Sequence, residues 1–172
     1  FEPKPFTEIT DEEWLHFFEV NVLSGVRLSR HYLPQMLEQN WGRIIFISSE
    51  SGVQIPAEMV HYGTTKTAQL GVSRGLAQQT AGTNVTVNTV IPGSTRSEGS
   101  EKFISDLAQE RGLSKEDVER EFFEKIRPTS LLERFATIDE VATFVTYLSS
   151  PLAAANNGAA LRVDGGTVST IL

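Results

Sequence analysis

The chain has 172 residues, of which 40% are hydrophobic and 22% charged, a balance typical of a soluble globular domain that can bury a core. Its formal net charge is −7, its pI is about 5.0, and its lysines and arginines are scattered, so binding to nucleic acid is not expected. The absence of cysteine excludes disulfides, Cys-ligated zinc and iron–sulfur clusters, and no apolar run approaches the ~18 residues of a membrane span. A cytoplasmic protein is therefore expected.

Capping residues, hydrophobic periodicity and turn residues divide the chain into alternating helices and strands. In chain order the predicted elements are a helix over 11–38, a strand over 43–48, a helix over 57–80, a strand over 84–91, two short helices within 98–127, a helix over 137–149 and a strand over 159–163. Pro34 is expected to kink the first helix near its end.

The strand–helix–strand order of these elements implies parallel pairing with a right-handed crossover. The pattern therefore predicts a single α/β domain over 1–172, built on an open, doubly wound parallel sheet of about three strands. Sheets of this kind normally continue further, so the fold is expected to be truncated.

Three polar residues, Ser49, Tyr62 and Lys66, form the pattern S-x12-Y-x3-K. Tyr62 and Lys66 are four apart on a helix and share a face, so the ammonium is expected to lower the phenol pKa from its free value of about 10. Ser49 ends a strand at the carboxyl edge of the sheet, where open α/β folds bind ligands, and its hydroxyl could donate to a substrate oxygen. Ser48 and Ser51 are neighbouring candidates for the same place. The Y-x3-K spacing alone is a weak signal, and its strand–helix–strand context strengthens it.

Five segments, in order along the chain, resemble the short-chain dehydrogenase/reductase family. They are Val20-Asn21-Val22, the strand Gly42–Ser49, Tyr62-Gly-Thr-Thr-Lys66, Val87-Asn88 with Pro92-Gly93, and Asp139-Glu140-Val141-Ala142 with Val163-Asp164-Gly165-Gly166. The resemblance runs almost end to end. It implies a Rossmann-like fold and an NAD(P)-dependent oxidoreductase that interconverts an alcohol and a carbonyl on a small molecule.

The resemblance assigns a role to each matched side chain. Tyr62 would exchange a proton with the substrate oxygen, and Lys66 would lower the Tyr62 pKa and hydrogen-bond the nicotinamide ribose. Both side chains, Tyr62 and Lys66, are expected to contact the cofactor. Ser49 would orient and polarise the carbonyl, and Asn21 would hold a water that relays protons through Lys66. Further cofactor contacts are expected from the loop after the second strand, namely Pro92, Gly93, Thr95 and Ser97. The family usually has an aliphatic residue at the position of Thr95 and a threonine at that of Ser97.

The family's glycine-rich dinucleotide-binding turn has no counterpart in this sequence. None of the 13 glycines forms G-x-G-x-x-G or T-G-x-x-x-G-x-G, the turn that places a pyrophosphate at a helix N-terminus. The chain opens Phe1-Glu2-Pro3 without an initiator Met and is expected to be a processed or partial form, with roughly two or more βαβ units upstream. The cofactor is expected to be NAD or NADP, and this sequence does not decide between them.

Two other functions stay open at this point. A truncated, catalytically inert chain could serve only as a binding or assembly module. An epimerase or dehydratase would keep the fold and change the reaction, although the Val-Asp-Gly-Gly ending is less typical of such relatives.

The remaining features concern packing. Gly71 and Gly75 lie on one helical face, and in this family the equivalent helix often pairs with its copy, so a homodimer or homotetramer is expected. Residues 98–127 carry a sparse apolar stripe. The acidic run 98–125 within them is expected to be mostly a solvated helix face, and its apolar stripe is expected to form a substrate lid. No metal site is expected, because the histidines lack ligand spacing; they are His16, His31 and His61.

Overall fold

The computed structural model describes residues 2–171. Its α-helices and strands are, in chain order, α1 (Asp11–Phe18), α2 (Ser24–Glu38), β1 (Gly42–Ile47), α3 (Val60–Gln79), β2 (Val85–Pro92), α4 (Glu98–Arg111), α5 (Lys115–Glu121), α6 (Ile138–Ser149) and β3 (Ala160–Val163). The predicted order of helices and strands is confirmed. The single domain predicted over 1–172 stays a prediction, and it includes Phe1 and Leu172, which lie outside the described residues. Between residues 2 and 171, no helix combines the length and the apolar character needed to cross a membrane.

The helix predicted over 11–38 is interrupted where Asn21 lies. It begins with a capping box, in which Thr10 Oγ1 accepts from the backbone N–H of Glu13 at 3.3 Å. A π-helical turn, Glu19–Leu23, then separates α1 from α2, whereas Pro34 lies inside α2 without ending it. Such turns leave backbone groups outside the regular i→i−4 ladder and are frequent at functional sites.

The sheet is parallel, with the strand order β1-β2-β3. Gly42 pairs with Val85 and Ile47 with Val90, while Pro92 pairs with Val163. The central strand β2 is buried along Val85–Ile91, as expected for a parallel strand covered on both faces. Because the strands run in the same direction, the segments that follow β1 and β2 meet at one edge of the sheet.

Helices cover both faces of the sheet. Phe46 and Val87 pack on one face against α3, and Val90 packs on the other against Leu148 of α6. Successive strand side chains point to opposite faces, which is why Ile45 joins the α6 side whereas Phe46 joins the α3 side. The predicted doubly wound architecture is confirmed.

Residues 98–127 fold as α4, α5 and a second π-helical turn, Phe122–Ile126. They have a small core of their own, in which Ile104, Val118 and Phe123 pack with Phe135. The two short helices expected here are confirmed. The role as a substrate lid stays a prediction, and "the lid" is used below only as a name for residues 98–127.

The start of α6 provides a test of acid stability. Arg134 donates to the Glu140 carboxylate at 2.9 Å, and the Thr137 backbone N–H donates to it at 2.8 Å, so the pKa of Glu140 falls from 4.5 to about 2. A depressed folded-state pKa stabilises the fold above the unfolded pKa, and this contribution is lost as the pH falls through the folded one. Wild type should therefore be more stable than Glu140→Gln at neutral pH, with the gap closing between about pH 4.5 and pH 2. Thermal melts across this range measure the gap, and a constant difference would contradict the assignment.

Candidate active site

Ser49 is the second residue after the carboxyl end of β1 and caps the 3₁₀ turn Glu50–Gly52. Its hydroxyl accepts from the backbone N–H of Ser51 at 3.1 Å and makes a side-chain hydrogen bond with Tyr62. Ser48 instead donates to a backbone carbonyl of α3 at 2.8 Å. Of the neighbouring serines, Ser49 is therefore the one whose hydroxyl meets the phenol.

Tyr62 and Lys66 lie one turn apart on α3, beside the turn that carries Ser49. Lys66 Nζ is 5.6 Å from the centroid of the Tyr62 ring and donates to the Ile47 carbonyl oxygen at 3.0 Å. Gly52 allows this close approach, because an added Cβ would lie 2.9 Å from the backbone carbonyl carbon of Lys66. The structure thus brings the three predicted side chains together at the carboxyl edge of the sheet.

Burial shifts both titratable groups of this cluster toward their neutral forms. Desolvation raises the pKa of Tyr62 above its ordinary 10.0, the hydrogen bond with Ser49 acts in the opposite direction, and the Glu50 carboxylate adds to the rise. Burial lowers the pKa of Lys66 below 10.5. The Tyr62 pKa was expected to fall beside an ammonium, and this expectation is wrong for the structure described, because desolvation is the largest contribution.

Asn21 reaches α3 from the π-helical turn. Its side-chain amide donates to Thr65 Oγ1 at 2.9 Å, and this hydroxyl donates to the Tyr62 carbonyl oxygen at 2.7 Å. Gln69 donates in turn to the Asn21 carbonyl oxygen at 2.6 Å. These contacts tie the π turn to the helix that carries Tyr62 and Lys66, and the water-relay role of Asn21 stays a prediction.

The four predicted cofactor contacts after β2 lie in one loop at the same edge. Pro92 ends β2, and Gly93 packs so closely on the end of β3 that an added Cβ would lie 2.6 Å from the carbonyl oxygen of Asp164. Thr95 Oγ1 donates to the Gly93 carbonyl at 3.0 Å. Ser97 Oγ caps α4 and accepts from a backbone N–H one turn later at 3.4 Å. The loop therefore keeps Thr95 half-buried and leaves Ser97 exposed.

The donors and acceptors of this edge suit a nicotinamide nucleoside. The phenol of Tyr62 and the ammonium of Lys66 can bond ribose hydroxyls, and the backbone and hydroxyl groups of 93–97 can meet both ends of a carboxamide. The hydroxyls of Ser49 and Tyr62 contact each other, so a single substrate oxygen could accept hydrogen bonds from both. The residues present fit the nucleoside end of the cofactor.

Sequence reasoning missed four residues that support this cluster. Thr65 and Gln69 follow Tyr62 at helical spacings, which was the available signal for them. Glu50 and Arg127 form an ion pair of 2.9 Å across 77 residues of sequence, and no local pattern signals such a contact.

Within residues 2–171, no group of three or more His, Asp and Glu side chains comes together in a way that could hold a metal ion. His61 is buried and packs edge-on against Phe17, with 4.4 Å between ring centroids. Burial lowers its pKa, which favours the neutral ring.

Known proteins are similar to this chain over almost its whole length. A family model described as enoyl-(acyl carrier protein) reductase matches residues 1–168. The uncharacterized oxidoreductase YvaG of Bacillus subtilis (strain 168) is 52% identical over 171 residues, which make up 99% of this chain and 65% of that protein. The D-beta-hydroxybutyrate dehydrogenase of Rhizobium meliloti (strain 1021) is 34% identical over 155 residues, 90% of this chain and 59% of that protein.

The fold has solved counterparts. The L-sorbose reductase of Gluconobacter frateurii, crystallised with NADPH and L-sorbose, is 29% identical with a TM-score of 0.91, over 99% of this chain and 64% of that one. The chain thus spans less than two thirds of the length of each of these three proteins. The matched length and the parallel sheet agree with the truncated Rossmann-like fold expected from the sequence. The chain belongs to the short-chain dehydrogenase/reductase family, whose members use NAD or NADP.

Proposed function

We propose that this chain supplies the proton-transfer centre of an NAD(P)-dependent oxidoreductase that interconverts an alcohol and a carbonyl. The observation that carries the proposal is the hydrogen bond between Ser49 and Tyr62, with Lys66 one turn away on the same helix. The dehydrogenase and reductase among the relatives support the reaction class, and the NADPH-bound relative supports the cofactor.

In the reducing direction, Tyr62 donates its hydroxyl proton to the substrate oxygen as the carbonyl carbon is reduced. Ser49 donates a hydrogen bond to the same oxygen and stabilises the negative charge that develops on it. In the oxidising direction, the Tyr62 phenolate takes the proton back. The bound nicotinamide would supply or accept the hydride.

Lys66 acts beside the phenol. Its ammonium lies 5.6 Å from the centroid of the Tyr62 ring. Lys66 and the 93–97 loop would hold the nicotinamide ribose and carboxamide. Asn21 is proposed to hold a relay water, and its amide also fixes α3 through Thr65.

The experiment is a turnover assay on the full gene product that contains this chain. NADH or NADPH is mixed with a panel of aldehydes, ketones and hydroxyketones, and nicotinamide absorbance is followed. We expect at least one carbonyl to be reduced with one of the two cofactors. Tight cofactor binding without reduction of any carbonyl would contradict the proposal and support the alternative of an inert binding module. The similarity of this chain to oxidoreductases does not favour that alternative.

Self-association is proposed through the exposed face of α3. An added Cβ at Gly71 or Gly75 meets no described atom within 4 Å, so this stripe leaves room for a second helix to approach. We expect the double variant Gly71→Leu and Gly75→Leu to shift a dimer or tetramer toward monomer in analytical ultracentrifugation. Gln109→Leu, on the exposed face of α4, is the matched control and should leave the mass unchanged. An unchanged mass for the glycine variant would place the interface elsewhere.

The cytoplasmic location stays a prediction.

A further inference from the structure

The ion pair between Glu50 and Arg127 is the most deeply buried one in residues 2–171. Arg127 Nε donates to Glu50 Oε1 at 2.9 Å, and the two side chains are only 12% and 6% exposed, respectively. In each of the other ion pairs of this part of the chain, both side chains keep at least 21% exposure. A carboxylate at this depth is strongly unfavourable without its partner, so the two positions depend on each other.

The pair joins two segments that are 77 residues apart in sequence. Glu50 directly follows Ser49 and is the first residue of the 3₁₀ turn that Ser49 caps. Arg127 ends the lid, where its backbone N–H donates to the Phe122 carbonyl at 2.9 Å and its guanidinium lies 5.9 Å from the Phe122 ring centroid. The C-terminal end of the lid is thus fastened to the turn that carries the Ser49 hydroxyl.

A cleft of about 340 Å³ adjoins the pair. It lies between the Ser49 turn and the lid, and its lining includes Glu58 and Lys125 as well as Glu50 and Arg127. Glu58 and Lys125 carry the same charges as Glu50 and Arg127 but do not belong to the buried pair. Variants of these two residues can therefore serve as matched controls for variants of the pair. Lys125 pairs instead with Glu121 at 3.3 Å.

The Glu50 charge also reaches Tyr62, whose pKa it helps to raise. Lys66 on α3 also lies near the phenol, and the neighbouring His61 is buried among aromatic rings with a lowered pKa. From α1 the phenol faces an uncharged ring, Phe17, at 6.4 Å between centroids. The turn that begins with Glu50 packs against α3 where Gly52 meets the backbone of Lys66, and Arg127 is the counter-charge of Glu50.

We propose that Glu50 and Arg127 are positioning residues, whose ion pair couples the seating of the lid to the charge balance beside Tyr62. With the lid seated, Arg127 neutralises Glu50, and the phenolate of Tyr62 is less disfavoured. With the lid displaced, the unbalanced carboxylate disfavours the phenolate. The role in turnover rests on the proposed function of Tyr62, but the coupling itself is a property of this chain's own residues.

The test is an NMR titration of ¹³Cζ-labelled tyrosine, which needs no turnover. The Tyr62 signal is assigned from its absence in Tyr62→Phe, and Tyr62 shares this chain with only Tyr32 and Tyr147. We expect Glu50→Gln to lower the Tyr62 pKa and Arg127→Gln to raise it, each by up to about one unit. Arg127→Lys should return the pKa toward wild type, and the double neutral variant should follow Glu50→Gln.

Two controls separate this coupling from a general change of charge. Glu58→Gln and Lys125→Gln remove the same charges from the same cleft and should leave the Tyr62 pKa unchanged. Hydrogen exchange of residues 98–127 should quicken in Arg127→Gln and stay at the wild-type rate in Lys125→Gln. An unchanged Tyr62 pKa in Glu50→Gln, which keeps the side-chain shape, would overturn the proposal.

The same controls can also contradict the proposal. Equal shifts for Arg127→Gln and Lys125→Gln would overturn it, because the lid would then act through charge alone. Failure of this coupling leaves turnover by Tyr62 intact. Failure of the proposed function would appear instead as equal turnover of wild type and Tyr62→Phe.

Discussion

Replacing Tyr62 by Phe in the full gene product is expected to lower kcat for carbonyl reduction by about 10²–10⁴-fold, the contribution typical of a positioned general acid. The ring stays in place, so the packing of α3 against the sheet is kept, and only the hydroxyl in contact with Ser49 is lost. Steady-state kinetics measure kcat, and a fluorescence titration measures the Kd for the nicotinamide cofactor. The Kd should change far less than kcat, because the phenol is proposed to act mainly on the reacting oxygen.

Tyr147→Phe is the matched control. Its hydroxyl also makes a hydrogen bond, to Asn156 Oδ1 at 3.0 Å, but it lies on α6 away from the cluster. It should turn over at close to the wild-type rate. Equal losses in Tyr62→Phe and Tyr147→Phe would mean that tyrosine removal acts through stability and not through proton transfer.

Gly93→Ala is expected to destabilise the fold by about 1–3 kcal/mol, the range typical of overpacking. The added methyl would lie 2.6 Å from the carbonyl oxygen and 2.8 Å from the Cα of Asp164, and backbone atoms cannot swing aside as a side-chain end can. The loop after β2 must then move away from the end of β3, which also displaces the proposed nicotinamide contacts. Urea denaturation measures the free energy of unfolding.

Gly99→Ala is the control for this substitution. Gly99 lies in the first turn of α4, where an added Cβ would be 3.9 Å from Ser97 Oγ, an ordinary contact. Alanine is the better helix former, so stability should stay the same or rise slightly. If both variants lose the same stability, the close approach at Gly93 is not the cause.

Much of the fold could be predicted because its signals are local. The capping residues Thr10 and Thr137 begin helices where expected, and the β-branched runs give β1 and β2 within about one residue of the predicted bounds. The S-x12-Y-x3-K spacing likewise brings Ser49 to Tyr62, because a strand end and a helix face meet at one edge of a parallel sheet.

The parts that could not be predicted depend on tertiary contacts. The π-helical turn at Asn21 interrupts a helix whose sequence pattern is continuous and does not indicate a break. The carbonyl oxygen of Asn21 accepts a hydrogen bond from Gln69, which lies on another helix. The direction of the Tyr62 pKa shift depends on how deeply the phenol is buried, which helical spacing does not reveal. The Glu50–Arg127 pair joins residues 77 apart, and only the seating of the lid brings them together.

The most direct test of the central claim follows an isotope. The full gene product is supplied with NADH or NADPH deuterated at nicotinamide C4 on the transferred face, together with a carbonyl that it reduces, and the product alcohol is analysed by mass spectrometry. The account predicts one deuterium on the former carbonyl carbon of the product from wild type, and almost none in the same time from Tyr62→Phe. A product that forms without deuterium, as expected of an epimerase or dehydratase, or equal labelling by both proteins would contradict it.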